Sequence, residues 1–186
     1  HNLGIASADL LWVLDSAGTK ETLKRFSLSK KAYPLRGGYQ YNNLMYAVAG
    51  EVIRSASGKP WTEFVREAIF EPLEMDRTVA RASDIFTSGN YVSPYYYEEE
   101  EGYIEVPHNL SDQIGAAGMI WTCAADMEKY LQMLVGGGKY KGETLLQPDT
   151  FAYLFKPHAL LTKGDFYPTA EVTGPNWLSY GLGWFQ

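Results

Sequence analysis

The sequence predicts a mainly α fold with a few short strands, and three observations carry that prediction. Apolar residues recur at helical spacing over 43–57, 61–69 and 127–135. Each of those stretches is closed by Gly or Pro (Gly58, Pro72, Gly136-Gly137-Gly138), which cannot continue a helix without cost. Strand-like patterns are confined to short runs around 91–97, 103–106 and 180–185.

In order, Leu10-Leu11-Trp12-Val13-Leu14 is a compact apolar run that predicts a short helix or turn packed on the body. Residues 19–26 read as a short charged helix with Leu23 and Phe26 inward, and Pro34 with Gly37-Gly38 marks a loop. Helix 43–57 places Leu44, Ala47, Val48, Val52 and Ile53 on one face and stops at Gly58. The next helix puts Trp61, Phe64, Val65, Ala68 and Ile69 at i, i+3, i+4, i+7 and i+8, and Pro72 ends it. Tyr91 to Tyr97 is extended, Glu98-Glu99-Glu100-Glu101-Gly102 forms a solvated turn, and Tyr103 to Val106 returns as the second strand of a ribbon. The tyrosines there either pack or line a substrate-facing surface. Thr122 is the expected N-cap of a helix striped by Met127, Tyr130, Leu131, Leu134 and Val135. A short helix follows Pro148 to about Phe155, and Tyr180 to Phe185 reads as a strand.

Composition bounds the function. With 46% apolar and 15% aromatic residues in 186, the chain buries a sizeable core and is not disordered. A net charge of −6 without a basic run argues against nucleic acid or an anionic membrane as partner. The single Cys123 excludes an internal disulfide and a multi-cysteine metal site, and packs as a structural thiol rather than a reactive one. His1, His108 and His158 lack zinc-site spacing, and Glu98 to Glu101 lack the ligand pattern of a calcium loop. No apolar run reaches membrane-spanning length, and Asn109-Leu110-Ser111 is a formal glycosylation sequon. The chain opens on His1 without an initiator Met and is read as a single partial domain, 1–186, excised from a longer protein.

Chemistry concentrates at Tyr41-Asn42-Asn43, where a phenol and side-chain amides run directly into an apolar helix. A helix start gathers unpaired N–H groups, which favour developing negative charge. Ser27-Leu28-Ser29-Lys30 is the one Ser-x-x-Lys string, but it sits between a short helix and a Pro/Gly loop, and so short a pattern arises by chance.

The triplet resembles the Tyr-x-Asn motif of the serine β-lactamase and penicillin-binding-protein superfamily, in its class C and esterase-like branch. Matching context lies in His1-Asn2-Leu3-Gly4, Gly50-Glu51-Val52-Ile53, Ser57-Gly58-Lys59-Pro60-Trp61, Pro72-Leu73-Glu74-Met75, Ala117-Gly118 with Thr122 and Asp126, and Tyr180-Gly181-Leu182-Gly183-Trp184. Glu74 departs from the family's usual Gly. The resemblance implies the helical region of the β-lactamase/transpeptidase-like α/β fold, with a cleft against an α/β sandwich. It implies acyl-enzyme hydrolysis of amides, esters or β-lactams, no cofactor or metal, and a periplasmic or secreted setting. Tyr41 would relay the proton, and Asn43 would hydrogen-bond the catalytic Lys and the substrate. The family's nucleophile belongs ahead of His1 and its Lys/His-x-Gly strand beyond Trp184, so 1–186 alone is expected to be inactive and to self-associate through uncovered apolar surface. The alternative is a non-catalytic module or pseudoenzyme of the same fold that binds a peptide or protein.

Overall fold

The computed structural model describes residues 1–8, 10–13, 17–87, 89–105, 112–161 and 178–186. His108 and the Asn109-Leu110-Ser111 sequon lie outside the described residues. The helices are α1 (Leu10–Val13), α2 (Thr19–Phe26), α3 (Asn43–Ser57), α4 (Trp61–Val65), α5 (Ala82–Ile85), α6 (Gly115–Gly118), α7 (Ala124–Val135) and α8 (Pro148–Leu154). Among the described residues, the short strands β1 (Tyr95–Glu98), β2 (Gly102–Glu105), β3 (Lys139–Tyr140), β4 (Glu143–Thr144), β5 (Ala159–Leu161) and β6 (Leu178–Tyr180) pair antiparallel, β1 with β2, β3 with β4 and β5 with β6.

Helix α3 is the axis of the fold. Gly58 ends it in the left-handed region (φ 75°), donating its N–H to the Arg54 carbonyl at 3.0 Å. Leu44 and Ala47 are buried with Phe26 of α2 and Ile114, and Ile5, Leu11, Trp12 and Leu23 pack around them. Gly50 lets α6 approach: a Cβ there would lie 2.9 Å from the Ala116 Cβ and 3.2 Å from the Trp61 ring. Val52, expected inward, is 61% exposed, because the buried strip continues through Gly50.

The second core joins Phe70, Leu73, Met75, Ala80, Met133 and Tyr140, with Trp61 and Val65 packed against it. Here the helical reading of 61–69 changes register. After Val65 the backbone becomes a π-helix over Arg66–Phe70, and the Glu71 N–H reaches the Arg66 carbonyl five residues back at 2.9 Å. The wider turn rotates the buried face onto Phe70, leaving Phe64 and Ala68 exposed.

Helix α7 is likewise rotated from its expected stripe. Tyr130 and Leu134 of that stripe pack on the second core and Asp126 and Met133 are buried, whereas Met127, Leu131 and Val135 are exposed. Its N-cap is Cys123 and makes no side-chain cap bond; the Thr122 hydroxyl instead meets that of Thr78 at 2.8 Å. Cys123 is half-buried.

The ribbon β1–β2 forms as read, with Tyr97 opposite Tyr103, and its tyrosines are exposed rather than packed in a core. At the C-terminal end, 180–185 is not one strand. β6 stops at Tyr180, Gly181 donates to the Trp184 carbonyl at 2.7 Å, and Ser179 and Gln186 exchange two backbone bonds across the turn. No helix among the described residues is long and apolar enough to cross a membrane.

Candidate active site

Asn42 stands between the two candidate residues, Tyr41 and Asn43, and anchors the helix start that carries them. It occupies the N-cap position of α3 with extended backbone (φ −154°, ψ 108°), so its neighbours point to the side opposite its own. Its side chain is 1% exposed and donates Nδ2–H to the Ala6 carbonyl at 3.1 Å, anchoring the helix start to the first segment of the chain. Tyr41 is accordingly turned outward, 41% exposed, and Asn43 opens α3 half-buried. The middle residue is the anchor and Tyr41 is the one presented.

His1 completes the arrangement. Its Nδ1 accepts the Asn42 N–H at 3.1 Å, and its ring lies 4.3 Å from that of Tyr41, tilted by 32°. Tyr46 and Tyr180 close the other side at 5.2 and 5.0 Å, with Tyr39 edge-on at 5.6 Å. The spacing to Gly4 is what holds the segment in place. Gly4 has φ 75°, and a Cβ there would fall 2.1 Å from the Tyr33 carbonyl, so only glycine lets residues 1–8 lie beside the 30–40 loop. Its carbonyl accepts the Ala32 N–H at 2.8 Å, and the His1 carbonyl accepts the Gln40 N–H at 2.8 Å and the Tyr33 hydroxyl at 3.1 Å.

Beside this cluster is a cavity of about 730 Å³ walled in part by His1, Arg36, Tyr46, His158 and Tyr180. Among the described residues no Asp or Glu lines it, although the chain is acidic overall. The Tyr46 and Tyr180 hydroxyls hydrogen-bond at 3.1 Å. Burial pushes the Tyr180 phenol far up, and the Tyr46 hydroxyl adds to the shift, so Tyr180 remains protonated. Tyr41 and Asn43 do not line this cavity; Tyr41 stands at its edge through its ring contact with His1.

The sequence singles out Tyr41 and Asn43 as candidates but does not reveal that His1, against Tyr41, is also flanked by Tyr46 and Tyr180. The signal for His1 was the His-x-x-Gly spacing; Tyr180 lies 134 residues from Tyr46, and nothing local announces their contact. Ser27 is separate from the cluster in role: it caps the end of α2, exposed, with its hydroxyl donating to the Lys24 carbonyl at 2.6 Å.

Comparison with known proteins gives the family. The sequence profile described as Beta-lactamase matches residues 1–186. The unguisins hydrolase ungD' of Aspergillus campestris is 25% identical over 170 residues, covering 90% of this chain and 30% of its own. The putative penicillin-binding protein PbpX of Bacillus subtilis is 28% identical over 134 residues, covering 70% of this chain and 32% of its own. This chain therefore spans a third or less of the length of these curated relatives. Among solved structures, the octameric penicillin-binding protein homologue of Pyrococcus abyssi superposes with a TM-score of 0.78 at 18% identity, over 100% of this chain and 41% of that one. A D-amino acid amidase of Ochrobactrum anthropi gives 0.74 at 22%, over 100% and 51%. The mainly helical architecture with short strands is thus the one found within β-lactamase and penicillin-binding-protein folds, and the chain belongs to the beta-lactamase family.

Proposed function

We propose that residues 1–186 are the helical region of a longer serine hydrolase that cleaves amide, ester or β-lactam bonds through an acyl-enzyme. The observation that carries this reading is the presentation of Tyr41 at the start of α3. Its ring is seated on His1, its face is open to solvent, and Asn43 is the first residue of the helix. Nucleophilic acyl transfer needs a hydroxyl nucleophile, a group to remove its proton and return it to the leaving atom, and donors near the developing oxyanion. In this proposal Tyr41 shuttles that proton and the Asn43 amide orients the catalytic lysine and the substrate amide. The serine comes from sequence outside 1–186, so the isolated chain does not turn over. Relatives with hydrolase, amidase and penicillin-binding-protein names support the reaction class, and D-stereospecific amides are among the substrates to try first.

The test is steady-state hydrolysis of a chromogenic ester by the whole protein carrying this chain, with Tyr41→Phe and Asn43→Ala. Each is expected to lower kcat by roughly 10²-fold or more, in the range of lost acid–base or electrostatic groups. Wild-type turnover by both variants would overturn the reading. One observation favours a non-catalytic peptide-binding role instead: Tyr95, Tyr96, Tyr97 and Tyr103 are 58%, 59%, 58% and 78% exposed on the ribbon. Peptide binding that persists in a protein with no turnover would select that alternative.

A further inference from the structure

We propose that His1 is a positioning residue for Tyr41, acting by accepting the Asn42 N–H at Nδ1 and by seating the Tyr41 ring. The inference rests on Tyr41 being the proton-relaying group. Tyr41 is a 41% exposed side chain on a non-helical residue, and the His1 ring lies against its ring at 4.3 Å, so the imidazole helps to set the tilt of the phenol. His1 is itself fixed through its carbonyl by Tyr33 and Gln40, and through its ring by Asn42. One imidazole therefore joins the backbone on the far side of Tyr41 to the ring of Tyr41.

The bond also sets a protonation state. With Nδ1 accepting, the single ring proton sits on Nε2, which is buried and has no hydrogen-bond partner among the described residues. Adding a second proton would place an N–H on Nδ1 facing the Asn42 N–H, two donors opposed. The ring is faced by the phenols of Tyr39, Tyr41, Tyr46 and Tyr180, and the shared cavity adds Arg36 and His158. Among the described residues that line the cavity none is a carboxylate that could hold an imidazolium. Acid therefore breaks the His1–Asn42 bond and releases Tyr41, which gives turnover an acid limb that belongs to His1.

The experiment compares wild type, His1→Phe, His1→Asn and Tyr41→Phe in the whole protein, following p-nitrophenyl acetate hydrolysis from about pH 5 to 9. His1→Phe keeps a ring but no acceptor; kcat is expected to fall roughly 10- to 100-fold with KM nearly unchanged, the scale of a misplaced catalytic group. His1→Asn supplies an unprotonatable oxygen near the Nδ1 position. It is expected to recover part of kcat and to lose the acid limb. Wild-type kcat in His1→Phe, or an acid limb retained in His1→Asn, overturns the inference while leaving the proposed function standing. Full activity in Tyr41→Phe overturns the proposed function, and this inference with it. Should His1→Phe fail to fold, the pH profile of His1→Asn decides alone.

Discussion

Replacing Asp126 tests how the N-terminal end of α7 is tied to the loop before it. The carboxylate is 2% exposed, and its Oδ2 accepts both the Arg77 N–H at 2.9 Å and the Thr78 hydroxyl at 2.8 Å. Its Oδ1 pairs with Lys129 at 3.3 Å. Burial alone would raise its pKa, but the Thr78 hydroxyl, the Arg77 N–H and Lys129 outweigh it and hold the carboxyl below its usual value. Asp126→Ala leaves the Arg77 N–H without this acceptor, at about 1–3 kcal/mol. It also removes the Thr78 bond, at about 1 kcal/mol because Thr78 keeps Thr122 as a partner. Lys129 also donates to the Glu74 carbonyl, so the ion pair adds under about 1 kcal/mol. The sum is about 3 kcal/mol, and at this chain length it corresponds to a fall in Tm of roughly 6–12 °C. Asp126→Asn with its amide oxygen at the Oδ2 position keeps the Arg77 and Thr78 bonds but loses the charge and turns its NH2 toward Lys129, which still has the Glu74 carbonyl, so about 1 kcal/mol is expected. Because the native state binds this proton less readily than the unfolded state, the stabilisation is present above about pH 4, the unfolded carboxylate value. It is lost as pH falls through the lower native value. Thermal melts of wild type and both variants from about pH 2 to 7 measure this. Differences below about 0.5 kcal/mol at neutral pH, or a gap that widens on acidification, would refute the reasoning.

Other positions give sharper yes-or-no outcomes. Gly50→Val is expected to cost about 2–3 kcal/mol, since its branches meet Ala116 and the Trp61 ring where even a Cβ is crowded; an unchanged melt would show that α3 and α6 are not in close contact. Gly4→Ala forces a left-handed residue against the Tyr33 carbonyl, so it is expected to detach the His1 segment and reduce turnover together with stability. Calorimetry and ester hydrolysis on the same sample check that pairing. Met127, Leu131 and Val135 lie four residues apart on one face of α7, at 36%, 52% and 91% exposure. If self-association of this chain uses that face, Leu131→Glu shifts sedimentation toward monomer; an unchanged distribution would place the contact elsewhere.

Much of the fold was legible because local rules decided it. Gly58 in the left-handed region ended α3 where the sequence placed the stop, and the Tyr/Glu run made a ribbon with its turn at the glutamates. Tertiary contacts decided the rest. The apolar period over 61–69 implied a regular helix, but packing Phe70 into the core required a π turn, which spacing alone cannot announce. On α7 one of the buried positions went to Asp126, a charged residue no hydrophobic pattern selects, because its partners at Arg77 and Thr78 lie 49 and 48 residues away. At the candidate site the Tyr-x-Asn triplet was readable as chemistry. The anchoring role of its middle residue was not, because it depends on Ala6 and His1 approaching from the start of the chain.

The most direct test of the central claim is intact mass after fluorophosphonate treatment, on the whole protein carrying this chain and on residues 1–186 alone. The account predicts one adduct per whole protein, on a serine outside 1–186, slowed in Tyr41→Phe, and no adduct on the isolated chain. An unlabelled whole protein, or an adduct on Ser27, would contradict it.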